Sequence, residues 1–401
     1  LTPPTQEAAV PSPRDRQARL ATFAVYAVQG LSFATLLTQV AHLQDKHGLS
    51  TGALTALLLI VPVFAGVGSV AAGAFAARYG SALLLRLSQP LVAAAVVLAG
   101  LAPHVAVLVP VLLVFGIAVG GVDAGMNMQG VAVERRYGRA VLNGFHCMWS
   151  VFSLAGALWV SAVGDALPLE AVMAIPMVLA VAGSLVAAPR LYAPDEERAG
   201  TVEAGTVQST AAGRFPWRPI IPLCLAMAFL YVGDAAVSNF STVFMQDELL
   251  ADARVIPLAY AAYQAATLLV RLAGDLAVRR YGPAAVVRLG GLIATLGFLG
   301  VVLAPGQPLA IVAFGLTGVG LSVVAPQSFS AAGRLDPAGT GAAIARVNLF
   351  NYVGFIVGAA LVGGIADAAG MRAGFAAPLI LAAAIVVLAK GFEPKPVTAA
   401  S

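Results

Sequence analysis

"RYGSALLLRL", residues 78–87, and "RYGPAAVVRL", residues 280–289, agree at six of ten positions and lie 202 residues apart. The same offset relates Leu101-Ala102-Pro103 to Leu303-Ala304-Pro305, Gln44-Asp45 to Gln246-Asp247, and Asp165 to Asp367. Four matches at one spacing mark an internal duplication. Each basic stretch lies between two long apolar runs, so the duplicated unit is a set of such runs. The chain is 60% hydrophobic and only 10% charged over 401 residues. A soluble domain carries about 25% charged residues. Apolar runs of about 20 residues are long enough to cross a bilayer as helices. They are continuous rather than alternating, which excludes a barrel of strands.

Twelve spans are expected, near 19–42, 52–76, 82–102, 107–131, 141–163, 168–188, 219–243, 256–277, 284–304, 308–331, 341–364 and 374–392. The fold class is therefore an all-α integral membrane protein with twelve transmembrane helices in two pseudo-symmetric six-helix bundles. Residues 1–18 read as a cytoplasmic tail rather than a cleavable signal, because the run that follows is too long and has no clear cleavage site. Residues 19–188 form the first bundle and 219–392 the second. The stretch 189–218, with "APDEERAGTVEAGTVQSTAAGR", reads as a flexible solvated linker on the cytoplasmic side. Residues 393–401 form a second cytoplasmic tail. With both termini inside, 20 of the 23 Lys and Arg fall on the inner side, and only Lys46, Arg254 and Arg372 fall outside. That asymmetry supports both the span count and the orientation. Cys147 and Cys224 lie in apolar runs and read as buried thiols. No metal-ligand spacing, nucleophile–base pair or phosphate loop is present. No cofactor is expected, and energy would come from a gradient, chiefly of protons. Nucleic acid is not an expected partner, and the chain is expected to work as a monomer in a cytoplasmic membrane.

Six helices, an inner loop and six related helices in the same orientation make a parallel repeat, an arrangement used by transporters whose halves rock about a central site. The chain resembles the major facilitator superfamily over nearly its full length. Its loops after spans two and eight are similar to the basic, Gly-containing loop of that family. They depart from it where Ala77 and Arg279 replace the acid before the loop Arg, and where Asp275 occupies a Gly position. The stretch "RLAGD", Arg271 to Asp275, is similar to a bacterial branch that includes fucose-permease-like permeases. The resemblance implies that spans one, four, seven and ten line the cavity, flanked by two, five, eight and eleven. The polar residues fall mostly on these eight spans, and spans three, six, nine and twelve carry almost none.

"GVDAGMNMQGVAVERRYGRAVLNGFHCMWS", Gly121 to Ser150, is the most polar intramembrane stretch. Gly116, Gly120, Asp123, Asn127 and Glu134 share one helical face. The glycines allow a neighbouring helix to come close, so the acid faces protein or a cavity. Depth places Asp123 roughly 6 Å, His146 about 9 Å and Asn127 about 12 Å inward of the midplane. These three are expected to cluster. Intramembrane carboxyls and histidines are the usual proton carriers of pumps and transporters, so Asp123, His146 and Asp234 are the candidate proton-coupling residues. The substrate-binding candidates are Gln29, Ser32, Gln39, Asn127, Trp149, Tyr231, Asn239, Tyr263, Gln264, Gln327, Asn348 and Asn351. Their amides suit neutral hydroxylated molecules, because an amide both donates and accepts without demanding charge. Arg78, Glu134, Arg271 and Asp275 are the candidate gate residues. Arg271 needs a partner, with Asp275 one turn on as the simplest and Asp123 across the cavity as the alternative. Pro326 is expected to break span ten beside Gln327.

The expected function is proton-coupled secondary transport of a small, sugar-like polar solute by alternating access, with no enzymatic activity. Efflux of amphipathic drugs or metabolites is the alternative, to which the two midspan acids, Met126, Met128 and the aromatics are suited. A non-transporting membrane sensor is the alternative of another class.

Overall fold

The computed structural model describes residues 11–164, 166–198, 217–252, 254–336 and 338–394. Among the described residues there are twelve long helices, and we number them in chain order. The first bundle holds α1 (Pro13–Leu37), α2 (Thr51–Tyr79), α3 (Ser81–Leu101), α4 (Val105–Tyr137), α5 (Leu142–Val163) and α6 (Leu169–Ala187). The second holds α7 (Ile221–Val243), α8 (Leu258–Tyr281), α9 (Pro283–Leu303), α10 (Gln307–Leu335), α11 (Ala342–Ala369) and α12 (Met371–Leu388). Eleven of them are long and apolar enough to cross a membrane. The remaining one is α8, whose apolar character is diluted by Gln264, Arg271 and Asp275. Leucines and valines on the outer helices, such as Leu87, Leu179, Leu296 and Val387, stay exposed, as a lipid-facing surface requires.

Local chemistry sets the helix ends. α1 begins at Pro13 rather than at residue 19. Ser12 and Asp15 form a reciprocal capping box, and Pro13 occupies the first turn, so the helix starts well before the apolar run does. α2 and α8 both end on a glycine with positive φ, Gly80 at 82° and Gly282 at 81°. These are the glycines of the two RYG stretches, and a side chain in that backbone conformation would be strained. α10 breaks at Ser322 and Val323, between Gln307–Leu321 and Val324–Leu335. The break lies a turn ahead of Pro326, because the proline ring displaces the carbonyl four residues before it and offers no N–H to that carbonyl.

The duplication also governs packing. A Cβ on Gly116 of α4 would lie 2.8 Å from the carbonyl oxygen of Val61 on α2. A Cβ on Gly318 of α10 would lie 2.4 Å from that of Tyr263 on α8. Both partners are 202 residues apart, so the same backbone-to-backbone contact recurs in each half. Gly120 is tighter still, with a Cβ position 2.0 Å from the Ala65 carbonyl oxygen and 2.8 Å from the Ser69 amide. Backbone cannot yield as a side-chain end can. Gly120→Val is therefore expected to destabilise by at least ~1–3 kcal/mol through overpacking. It would show as a lowered melting temperature of the detergent-solubilised protein, and an unchanged one would refute the close contact.

The linker differs from its expected flexible form over its first ten residues. Residues 188–190 make a short 3-10 turn and Pro194–Arg198 a short helix, and Tyr192 is fully buried. Gln129 of α4 accepts from the Tyr192 amide at 3.0 Å and donates to its carbonyl at 3.1 Å. The Tyr192 hydroxyl donates to Asp15 at 2.7 Å, and Asp15 also pairs with Arg136 at 2.9 Å. Arg14 grips both carboxylate oxygens of Glu196, at 2.8 and 2.6 Å. Glu197 accepts from the Ser81 amide at 3.0 Å and from its hydroxyl, capping α3. The strap is held by backbone and charge together, which composition alone does not reveal. Residues 199–216 of the expected linker, 1–10 of the first tail and 395–401 of the second lie outside the described residues.

Arg14 holds the Glu196 carboxyl below its ordinary range. The stabilisation from this pair is thus present at neutral pH and is lost as pH falls through the folded-state value. Glu196→Gln should melt earlier than the parent at neutral pH, and the gap should close on acidification. A gap that is constant with pH would show that the pair contributes nothing through charge.

Candidate functional site

Asp123 lies 14 residues before the end of α4, about 21 Å along the helix, and is half-buried. Its Oδ1 accepts from the Gln29 amide of α1 at 3.1 Å, and its Oδ2 from the Tyr352 hydroxyl of α11 at 2.5 Å. One carboxylate therefore joins α1 and α4 of the first bundle to α11 of the second. Asn127, one turn on, accepts from the buried Tyr26 hydroxyl at 2.8 Å and donates to the Asp123 carbonyl at 2.7 Å. Tyr231 of α7 is also within electrostatic reach of Asp123.

His146 is drawn towards this group but does not bond to Asp123. Its ring lies edge-on to Tyr26, centroids 5.3 Å apart, and stacks on Phe329 of α10 at 6.1 Å. Its Nε2 is buried with no hydrogen-bond partner. The expected cluster of Asp123, Asn127 and His146 is thus assembled through Tyr26, which the sequence reading did not select. Tyr26 lies three residues before Gln29 on α1, and that spacing was its only signal.

Asp234 of α7 accepts from the Tyr263 hydroxyl of α8 at 2.5 Å. Arg271 of α8 lies within electrostatic reach of Asp234, of Tyr231 and of His146. It forms neither ion pair that was expected for it. Asp275 is turned to α5, where it accepts from the Asn143 amide and side chain at 3.0 and 2.9 Å and from the Gly144 amide at 3.0 Å. Those donors are the open N-terminus of α5, which attracts a carboxylate more strongly. Asp123 is taken by Gln29 and Tyr352. Arg271 Nη1 instead donates to Ser150 Oγ of α5 at 2.5 Å, and its Nε is buried without a partner.

The remaining candidates divide. Tyr231 is half-buried, Asn239 and Gln264 are exposed, and Trp149 is half-buried with its ring 6.1 Å from Phe33. The Asn239 side-chain amide donates back to the Ala235 carbonyl of its own helix at 2.8 Å. Asn351 is half-buried on α11 and Gln327 is buried beside the α10 break. Asn348 serves the junction of the halves, donating to Ser69 of α2 at 3.0 Å. Ser32 and Gln39 are buried, each with an oxygen lacking a hydrogen-bond partner, and Gln39 lies near the far end of α1, away from Asp123. An apolar groove between α2 and α11, lined by Pro62, Gly66, Leu349 and Val353, offers no polar group to a solute.

The halves meet along two seams related by the duplication. In one, Ser69 of α2 donates to the Ala345 carbonyl of α11 at 3.0 Å. In the other, Arg271 and Asp275 of α8 hold Ser150 and Asn143 of α5. Ser69 and Arg271, and Asn143 and Ala345, are each 202 residues apart. Nearer the basic end, Glu134 accepts from the Val141 and Leu142 amides at 2.9 and 3.2 Å and from the Ser330 hydroxyl of α10. Arg135 reaches the Gly333 carbonyl at 3.4 Å, and Arg279 the Ala140 carbonyl at 3.0 Å. These cross-half bonds all lie between mid-helix and the end that carries the termini, so that end is closed. Arg78 takes no part in them; it is exposed and lies 5.2 Å over Tyr79.

A mid-helix polar centre thus lies between two six-helix bundles that, among the described residues, are bonded to each other from mid-helix to one end. The comparisons agree with that architecture. The Major Facilitator Superfamily profile matches residues 223–401. An uncharacterized transporter of Sinorhizobium fredii is 28% identical over 91% of this chain and 95% of its own length. An uncharacterized MFS-type transporter of Yersinia pestis is 29% identical over 93% and 95%. Among solved structures, FucP in the outward conformation superposes with a TM-score of 0.75 at 15% identity, covering 94% of this chain and 98% of FucP. The proton:xylose symporter XylE does so at 0.74 and 12%, covering 94% and 95%. The chain is thus similar to major facilitator superfamily transporters, by the profile over its second bundle and by relatives and folds over nearly its full length.

Proposed function

We propose that the protein carries a small, polar, hydroxylated solute across the cytoplasmic membrane by alternating access, driven by protons, with both termini in the cytoplasm and one chain as the working unit. One observation carries this reading. Asp123 is half-buried at mid-membrane, joined to both halves by Gln29 and Tyr352. The ion pairs among the described residues are Arg14–Glu196, Arg136–Asp15 and Arg372–Glu248, and none involves Asp123. A carboxylate at that depth with no cation beside it is neutralised by a proton or by cargo. The proton is the simpler choice, because Gln29 and Tyr352 already occupy its two oxygens. Asp234, Tyr231, Tyr263, Asn239 and Gln264 then form the solute wall. Glu134 and Asp275 hold the cytoplasmic gate shut while the solute enters from outside. XylE, a proton:xylose symporter of the same fold, is in keeping with this assignment.

The test is a thermal-shift panel on the purified protein in detergent, with sugars and polyols set against lipophilic cations. A ligand that binds only the folded state stabilises it by about 2.7 kcal/mol at a hundredfold excess over Kd. Stabilisation by a polyol that is lost in Asp234→Asn supports the reading. Stabilisation by lipophilic cations alone overturns it in favour of efflux.

A further inference from the structure

Arg271 and Asp234 are opposite charges on neighbouring helices of one bundle. Arg271 lies about 15 Å from the cytoplasmic end of α8 and Asp234 about 20 Å from that of α7. They are within electrostatic reach of each other, yet no ion pair joins them, and neither is saturated. Asp234 accepts one hydrogen bond, on Oδ1 from Tyr263, and Oδ2 takes none from a side chain among the described residues. Arg271 offers five N–H donors. One reaches Ser150, and the buried Nε reaches nothing. An intramembrane guanidinium without a carboxylate is costly to keep. Oδ2 of Asp234 and the remaining donors of Arg271 thus keep unused hydrogen-bonding capacity on neighbouring helices.

We propose that the solute carries a carboxylate as well as hydroxyls, as a sugar acid does. Its carboxylate docks on the free donors of Arg271, and hydroxyls donate to the open oxygen of Asp234 and to the amides of Asn239 and Gln264. A simple monocarboxylate would leave the open oxygen of Asp234 without a donor, and a neutral sugar would leave Arg271 without a counter-charge. This rests on the solute-carrier reading above and adds a charge balance to it. One anion moving with the one proton on Asp123 transfers no net charge, whereas a neutral sugar with one proton transfers a positive charge.

The probes are gluconate and glucose, which share a hydroxylated chain and differ in the carboxylate. In the purified full-length protein, gluconate is expected to bind roughly 10- to 100-fold more tightly than glucose, the range for hydrogen bonds to a charged group. In Arg271→Gln the preference should fall to near unity. Equal affinity for the two probes in the parent protein, with both lost in Asp234→Asn, would overturn the sugar-acid assignment and leave polyol transport standing. Binding of neither probe, with binding of lipophilic cations, would overturn the polyol reading itself. A double variant, Asp234→Asn with Arg271→Gln, that keeps the gluconate preference would show the two charges to be a mere structural pair and refute the assignment. Proteoliposomes supply a measurement that needs no variant. Proton-driven gluconate uptake should be insensitive to membrane potential, and strongly potential-dependent uptake would count against a co-transported anion.

Discussion

Asp123→Asn is expected to abolish proton-driven accumulation while leaving solute exchange across the membrane intact. The asparagine keeps an oxygen for Tyr352 or Gln29 to donate to, so the junction of α1, α4 and α11 keeps its shape. It cannot take up or release a proton. A gradient of one pH unit supplies about 1.4 kcal/mol per proton, enough for about tenfold accumulation. Without a carrier for that proton the accumulation ratio should fall to one. Exchange needs only the solute wall and the gates, neither of which includes Asp123. Proteoliposomes with an imposed pH gradient, and separately with solute on both sides, measure the two activities. If exchange fails together with accumulation, Asp123 is a structural tie between helices. Tyr352→Phe removes one donor and leaves the acid in place; it should shift the pH profile of uptake without abolishing coupling.

Asp275→Ala is expected to open the end of the bundle at which α5 begins. Asp275 takes three N–H donors at the start of α5, two of them backbone amides. Removing the carboxylate strips α5 of its counter-charge and leaves those donors to water. Hydrogen bonds to a charged group contribute about 1.5–3 kcal/mol. A loss of that size shifts the closed-to-open ratio by roughly 10- to 150-fold. Cys147, one turn further along α5, is a built-in reporter because it is buried when this end is closed. In a Cys224→Ala background, thiol labelling of Cys147 should accelerate in Asp275→Ala and only slightly in Asp275→Asn. Labelling no faster than in the parent would show that Asp275 does not hold this gate.

The span count was legible because its cause is local, whereas helix ends were not, α1 starting at Pro13 rather than 19 and α4 running to Tyr137 rather than 131. Ser12, Pro13 and Asp15 explain why α1 starts early, once the cap is given weight beside the hydropathy. The charges that leave α8 short of an apolar membrane span are themselves a signal, because Arg271 and Asp275 are expensive in lipid. The identity of their partners was not legible. Asp275 was expected to pair with Arg271 one turn away, but an open helix N-terminus on α5, 132 residues distant in sequence, holds it instead. Tyr26 was passed over because an aromatic in an apolar run resembles packing until its hydroxyl is seen on Asn127. The strap around Tyr192 was hidden in a stretch whose composition reads as solvated linker.

By itself the sequence determined the membrane class, the duplication, the number of spans and the polar residues that lie at mid-membrane. Those properties follow from transfer of single side chains between water and lipid, and such costs accumulate along the chain without reference to what lies across from it. The tertiary structure decided that Asp123 bonds to both halves, that Arg271 and Asp234 stand near each other unpaired, and that the end bearing the termini is shut. These depend on the rotational phase of helices far apart in sequence and on how closely glycines let them pack. A shift of one residue in a helix turns a side chain by about 100°, and only the packed bundle sets that angle.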